Sequence, residues 1–198
     1  MRPRATILPV LVFALASCAV VAQAQAPAAA PKPGPEIKKL GVMVGKFANE
    51  GEMKAGAMGP NSPVQKVTGT DDCRWTSGGF GVLCNSTVDI GGMKGTEVAL
   101  AYYDPTSKTY HYHSVDSAGD IDDSTGTVEG NTWTWIGQSI EGGHAMHSRF
   151  IMKVISKDSF EYTVESGDSE SSMVPVMSGK ETRVVAAAKP PMSKPASQ

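Results

Sequence analysis

Phe47-Ala48-Asn49-Glu50-Gly51-Glu52-Met53-Lys54 is the stretch that settles the fold class. Strand side chains alternate with period two, so Phe47, Asn49, Gly51 and Met53 share one face while Ala48, Glu50, Glu52 and Lys54 share the other. Far downstream, Phe160, Tyr162 and Val164 oppose Glu161, Thr163 and Glu165 in the same manner. Strands with one apolar and one charged face belong to antiparallel sheet, one side on a core and the other in water.

The pattern extends outward from both stretches. It is cut by short polar clusters such as Asp104-Pro105-Thr106-Ser107, Glu129-Gly130-Asn131, Ser156-Lys157-Asp158 and Ser166-Gly167-Asp168. These breaks leave about ten strands. Uniformly short connections favour an up-and-down antiparallel barrel, so the expected class is all-β. Ahead of the first strand, Pro35-Glu36-Ile37-Lys38-Lys39-Leu40 predicts a short helix, with Pro at its start and Gly41 or Gly45 near its end.

The chain begins with Arg2 and Arg4, continues with an apolar run from Ile7 to Val21, and then offers Ala22-Gln23-Ala24 and Ala24-Gln25-Ala26. Basic start, apolar middle and A-x-A exit form a bacterial-type secretory signal over residues 1–24, removed on export to the periplasm. A second exit competes: Leu15-Ala16-Ser17-Cys18 has the form of a lipobox, and an acylated Cys18 would tether the domain to a membrane, as in an outer-membrane lipoprotein. Residues 25–35 read as an Ala/Pro linker and residues 186–198 as a disordered tail, both too poor in bulky apolar groups to order themselves. The expected barrel domain is 36–185. Residues 1–24 hold two arginines and no acid, so their loss takes the formal charge from −2 to −4. Without a Lys/Arg stripe, nucleic acid is not an expected partner.

Two cysteines, Cys73 and Cys84, remain beyond the signal. A hairpin turn at Gly78-Gly79 sets Trp75 against Val82, Cys73 against Cys84 and Val67 against Ile90, which gathers the apolar side chains on one face. An even pair in an oxidising compartment predicts a structural disulfide. A strict two-residue turn would make 73/84 a hydrogen-bonded pair, whose wider spacing suits a bridge less well.

A short helix running into Gly45-Lys46-Phe47 resembles the Gly-x-Trp entrance of lipocalins and related calycin barrels. With Gly51-Glu52-Met53, Gly78-Gly79-Phe80, Tyr103-Asp104-Pro105 and Gly130-Asn131-Thr132-Trp133, the chain from Pro35 to Val184 is similar to an uncharacterised bacterial family of lipocalin-like barrels, a domain of unknown function. The resemblance implies a barrel fold that can hold an internal cavity, and it supplies no catalytic residues to carry over. It also implies a basic side chain, here Arg183, lying across the Phe47 ring at the barrel base.

Other constellations carry less chemistry. His111 and His113 alternate on one strand face and are weak metal candidates, with no third ligand fixed by spacing. Asp116, Asp120, Asp122 and Asp123 cluster at what reads as a solvated hairpin tip, without the glycine and glutamate spacing of a calcium loop. Trp133 and Trp135 read as core. Elbow, zinc-protease, P-loop and dinucleotide motifs are lacking. The functional expectation is a periplasmic barrel binding a small, mainly apolar molecule, with no cofactor and no catalysis. Its cavity walls are expected from Phe47, Met53, Val67, Trp75, Val82, Phe150, Met152, Phe160 and Tyr162, with Gly51 and Gly69 adding room. The alternatives are an envelope interaction or structural module with a filled barrel, and an enzyme with a site in the barrel mouth.

Overall fold

A computed structural model describes residues 31–185. Residues 1–24, where a secretory signal is expected, with Cys18, most of the expected linker and residues 186–198, lie outside the described residues. Helix α1 (Pro35–Lys39) continues as a 3-10 turn (Leu40–Met43) and leads directly into the sheet. The strands are β1 (Gly45–Met53), β2 (Gln65–Trp75), β3 (Gly81–Ile90), β4 (Met93–Asp104), β5 (Thr109–Asp116), β6 (Ile121–Glu129), β7 (Thr132–Glu141), β8 (His144–Ser156), β9 (Ser159–Gly167) and β10 (Val174–Arg183). Each strand pairs with its sequence neighbours, and β1 closes on β10, giving the expected up-and-down barrel. Among the described residues, no helix is long and apolar enough to cross a membrane.

Registers follow the hairpins. Trp75 faces Val82, Cys73 faces Cys84 and Val67 faces Ile90. The turn is wider than two residues, because the Thr76 N–H donates to the Gly81 carbonyl at 2.8 Å. Counting back from that closing pair makes 73/84 a non-hydrogen-bonded pair, the closer of the two antiparallel spacings. The cysteines are bonded, with their Cα atoms 4.0 Å apart. At the other end of the chain, Pro175 can donate nothing to a ladder, and the β9–β10 register slips between Pro175 and Met177.

One end of the barrel is a packed floor. Leu40, 0% exposed, enters from the 3-10 turn among Phe47, Val82, Tyr110, Trp133 and Met152. Trp133 and Trp135 stack at 5.9 Å, and Tyr110 meets the Trp133 ring edge-on at 4.9 Å. The Tyr110 hydroxyl lies 3.0 Å from the Glu36 carbonyl oxygen and 2.9 Å from its carboxylate, fastening α1 to β5. Arg183 crosses the Phe47 ring at 4.5 Å and donates to the Val44 carbonyl at 2.7 Å. Gly45 makes room for it: φ is +140°, and a Cβ there would sit 1.9 Å from the guanidinium. The Gly-x-Phe entrance and its basic lid therefore form one unit.

Candidate ligand cavity

Beyond the floor, the barrel interior holds a cavity of about 380 Å³ that opens to one side. Ten strands make a barrel wider than eight, which side chains just fill, so some interior volume is expected. Phe47, Val67, Phe150, Met152, Phe160 and Tyr162 line it. Val82 does not; it is fully buried in the floor. Met53 pairs with Met177 near the far end of β1 and is also off the wall, although Met177 is on it. Trp75 shares the inward parity, but β2 carries it past the cavity to the helix end. There it lies beside Gly41, whose added Cβ would be 3.5 Å from the indole, and it remains 37% exposed.

The expected extra room at the glycines is taken up by neighbours. A Cβ on Gly51 would be 2.9 Å from the Tyr162 hydroxyl, and one on Gly69 would be 2.2 Å from the Thr87 carbonyl oxygen. Tyr162 thus lies across β1 and donates to Asn49 Oδ1 at 2.8 Å.

The larger departure from expectation is polarity. Asp71 on β2, Glu97 on β4, Asp122 on β6 and Glu181 on β10 all line the cavity, together with Tyr112 and Asn49. Asp122 belongs to the acidic run that reads as a solvated tip. Within that run, Asp116 does cap the turn, accepting from the Ala118 N–H at 2.8 Å and the Asp120 N–H at 2.9 Å. Asp122 instead turns inward, where it accepts hydrogen bonds from Ser124 at 2.5 Å and Ser148 at 3.0 Å. Ser86 donates to Asp71, and Tyr112 donates to Glu97 at 2.6 Å.

Burial disfavours the charged form of these carboxyls. It raises Asp71 and Glu97 above the ordinary carboxylate range, against the pull of the Ser86 and Tyr112 hydroxyls. Glu181 is pushed up to about 9, first by burial and then by the Asp71 charge, with which it shares a hydrogen bond. At neutral pH, Glu181 holds a proton and donates it to Asp71. Tyr112 is raised as well, by burial and by Glu97.

The histidine pair lies elsewhere. His111 and His113 are on the outer wall, stacked on Tyr102 at 5.0 and 5.8 Å, and His113 is 3.2 Å from Asp123. Among the described residues, no three His, Cys, Asp or Glu side chains converge as a metal set. A second hollow, about 680 Å³, is a groove between α1 and the outer wall beside Phe80, Leu100, Tyr102 and Tyr103. Its one carboxyl, Glu36, is already paired with Lys39 at 2.6 Å. The interior cavity is where hydrogen-bonding groups converge on open volume, so it is the candidate site.

Comparison with known proteins agrees with this architecture. No curated protein matches the chain. The crystal structure of Rv2717c from M. tuberculosis, a lipocalin-like fold, superposes with a TM-score of 0.56 at 12% identity, covering 78% of this chain and 100% of that one. At that identity the likeness is one of fold. The family model described as "Protein of unknown function (DUF1579)" matches residues 32–183, which is the whole barrel with its leading helix, and the chain belongs to that family.

Proposed function

We propose that the protein is an exported, periplasmic small-molecule binder whose ligand has a mainly apolar body and sits inside the barrel. The observation that carries this reading is the cavity of about 380 Å³ within the barrel, walled by Phe47, Phe150, Met152 and Phe160 with polar groups placed among them. Apolar walls with a small number of placed polar groups, at a volume of ~300 Å³ or more, are what small-ligand sites require. Export is supported by the secretory signature of residues 1–24 and by a disulfide suited to an oxidising compartment. Native mass spectrometry of the protein taken from its own periplasm tests all three elements. A co-purifying mass is expected, along with a mature chain starting at Gln25 or at an acylated Cys18. An empty chain that retains residues 1–24 would overturn the reading.

A second reading is favoured by one feature. Asp71 and Glu181 share a hydrogen bond and are both raised, Glu181 far more, and carboxyl pairs that titrate at different pH are what acid–base enzymes use. On that reading the cavity turns its ligand over. Incubating the protein with any ligand identified and following product mass separates the two, since a binder returns the ligand unchanged.

A further inference from the structure

We infer that the cavity takes an organic cation: a small amine whose ammonium group sits among Asp71, Glu97, Asp122 and Glu181 while its apolar body lies on Phe47 and Phe150. This rests on the reading of the barrel as a small-ligand binder and specifies the ligand's charge.

The argument begins with an inventory of charge. Four carboxyls from four strands face one cavity. The one cationic side chain on the wall, Arg149, is held by Glu165 at 2.6 Å. Charges taken out of water without partners are costly, and they neutralise by binding protons when nothing better arrives. Glu181, raised by burial and by Asp71, keeps a proton in that way.

Hydrogen-bonding capacity is unbalanced in the same direction. Ser86, Tyr112, Ser124 and Ser148 already spend their hydroxyl protons on these carboxyls. A carboxylate accepts at about four positions, more than the side-chain donors that reach Asp71 and Glu97, so acceptor sites remain in surplus there. Beside the wall but not on it, Ser166 holds a hydroxyl whose proton and lone pairs are both unspent. It follows Phe160, Tyr162 and Val164 on the inner face of β9 and is 8% exposed, with no hydrogen-bond partner for its Oγ. In register it faces Ser148, the residue whose hydroxyl bonds Asp122. An ammonium supplies three donors, no acceptor and the missing charge.

Other ligand classes fit less well. An anion would meet four acids. A neutral apolar molecule would bury them further and compensate none. A metal ion needs ligands gathered within a tight shell, and among the described residues no such set exists. Carboxyls spread around an aromatic-walled space suit a cation with an apolar body of its own.

The test compares probes of one shape and three charges on the protein as exported: phenethylamine, the neutral 2-phenylethanol and the anionic 3-phenylpropanoate. Thermal midpoints and titration calorimetry are the readouts, since a compound that binds only the native state raises the midpoint. Phenethylamine is expected to bind at least ~10-fold more tightly than 2-phenylethanol, a difference of about one charge-assisted hydrogen bond. Phenylpropanoate is expected to give no shift. Asp122→Asn and Glu97→Gln should each weaken the amine by a similar factor and leave the alcohol unchanged. If the alcohol equals the amine, or both variants keep full amine affinity, the cation inference falls while the binding barrel stands. If no probe of any charge binds, both fall.

Discussion

The two halves of this barrel use the same strand alternation to opposite ends. Around α1, the inward positions carry Phe47, Val82, Tyr110, Trp133 and Met152, packed to near-zero exposure against Leu40. Toward the far end, the inward positions of the same sheet carry Asp71, Glu97, Asp122 and Glu181 around open volume. The floor is organised as a hydrophobic core, which makes it the source of stability. The cavity half holds its acids under strain from burial, which costs stability and leaves unspent binding capacity. Proteins tolerate such local costs where function needs them, and offset them elsewhere.

The widest separation between the halves should come from truncating the floor. Phe47→Ala removes a ring that packs on Phe160 at 5.3 Å and carries Arg183 over its face. A loss of about 3–5 kcal/mol is expected in urea unfolding. Phe150→Ala, in the cavity half, should cost clearly less, because its ring is only partly buried whereas Phe47 is 2% exposed. Equal losses would erase the distinction between core and cavity.

The Cys73–Cys84 bridge ties the two regions together, since both sulfurs border the cavity and Cys73 also packs in the floor. It spans a separation of 11 residues, and the double Cys→Ser variant should lose about 2–3 kcal/mol. Peptide mapping without reductant checks the bond itself; free thiols in protein recovered from an oxidising compartment would refute it.

Between pH 5 and 8 the expected pH dependence comes from the raised carboxyls of the cavity half, whereas Glu36 beside the floor is held below its ordinary range. Glu181 ionises near 4.5 when unfolded and at about 9 when folded, so between those values the native state holds the extra proton. Stability is therefore greatest below the unfolded value and falls as pH rises through the window, by roughly one kcal/mol per pH unit for a single such group. Asp71 and Glu97, also raised, act in the same direction. Urea midpoints from pH 5 to 8 should decline steadily, and Glu181→Gln should flatten the decline and raise the midpoint at pH 8. A midpoint rising over that range would show that the carboxyls are solvated.

The floor was legible in the sequence and the cavity chemistry was not, for a physical reason. On β1 and β9 the larger apolar residues face inward, so local alternation assigns the faces correctly. On β4, Val98 and Leu100 are 47% and 36% exposed on the outer wall, while Ala99 and Ala101 face in and carry Glu97 with them. On β6, Ile121 is exposed and Asp122, Ser124 and Gly126 take the inner face. Read one strand at a time, size and hydropathy invert these two strands. The usable signal was register: Cys73 opposite Cys84 opposite Ala99 transmits the inward parity across two hairpins, and Glu97 follows by counting.

The smallest effect tests whether the floor's lid is an electrostatic contact or only packing. Arg183 stands 4.5 Å from the centroid of Phe47, donates to the Val44 carbonyl and the Lys157 carbonyl, and lies 3.3 Å from Asp158. Its loss therefore removes several interactions at once, and a single substitution cannot isolate the ring contact. A double-mutant cycle does so: Arg183→Gln and Phe47→Leu, singly and together, leave a coupling energy free of the carbonyl and Asp158 terms, provided those terms do not depend on the ring. A partly exposed guanidinium over a buried phenylalanine should give about 0.5–1 kcal/mol. The coupling should persist at high salt better than the Asp158 pair does, because the ring face excludes counterions from one side of the guanidinium. A coupling near zero would make Arg183 a hydrogen-bonding clasp between β1, β10 and the β8–β9 turn, and the ring beneath it merely a surface to lie on.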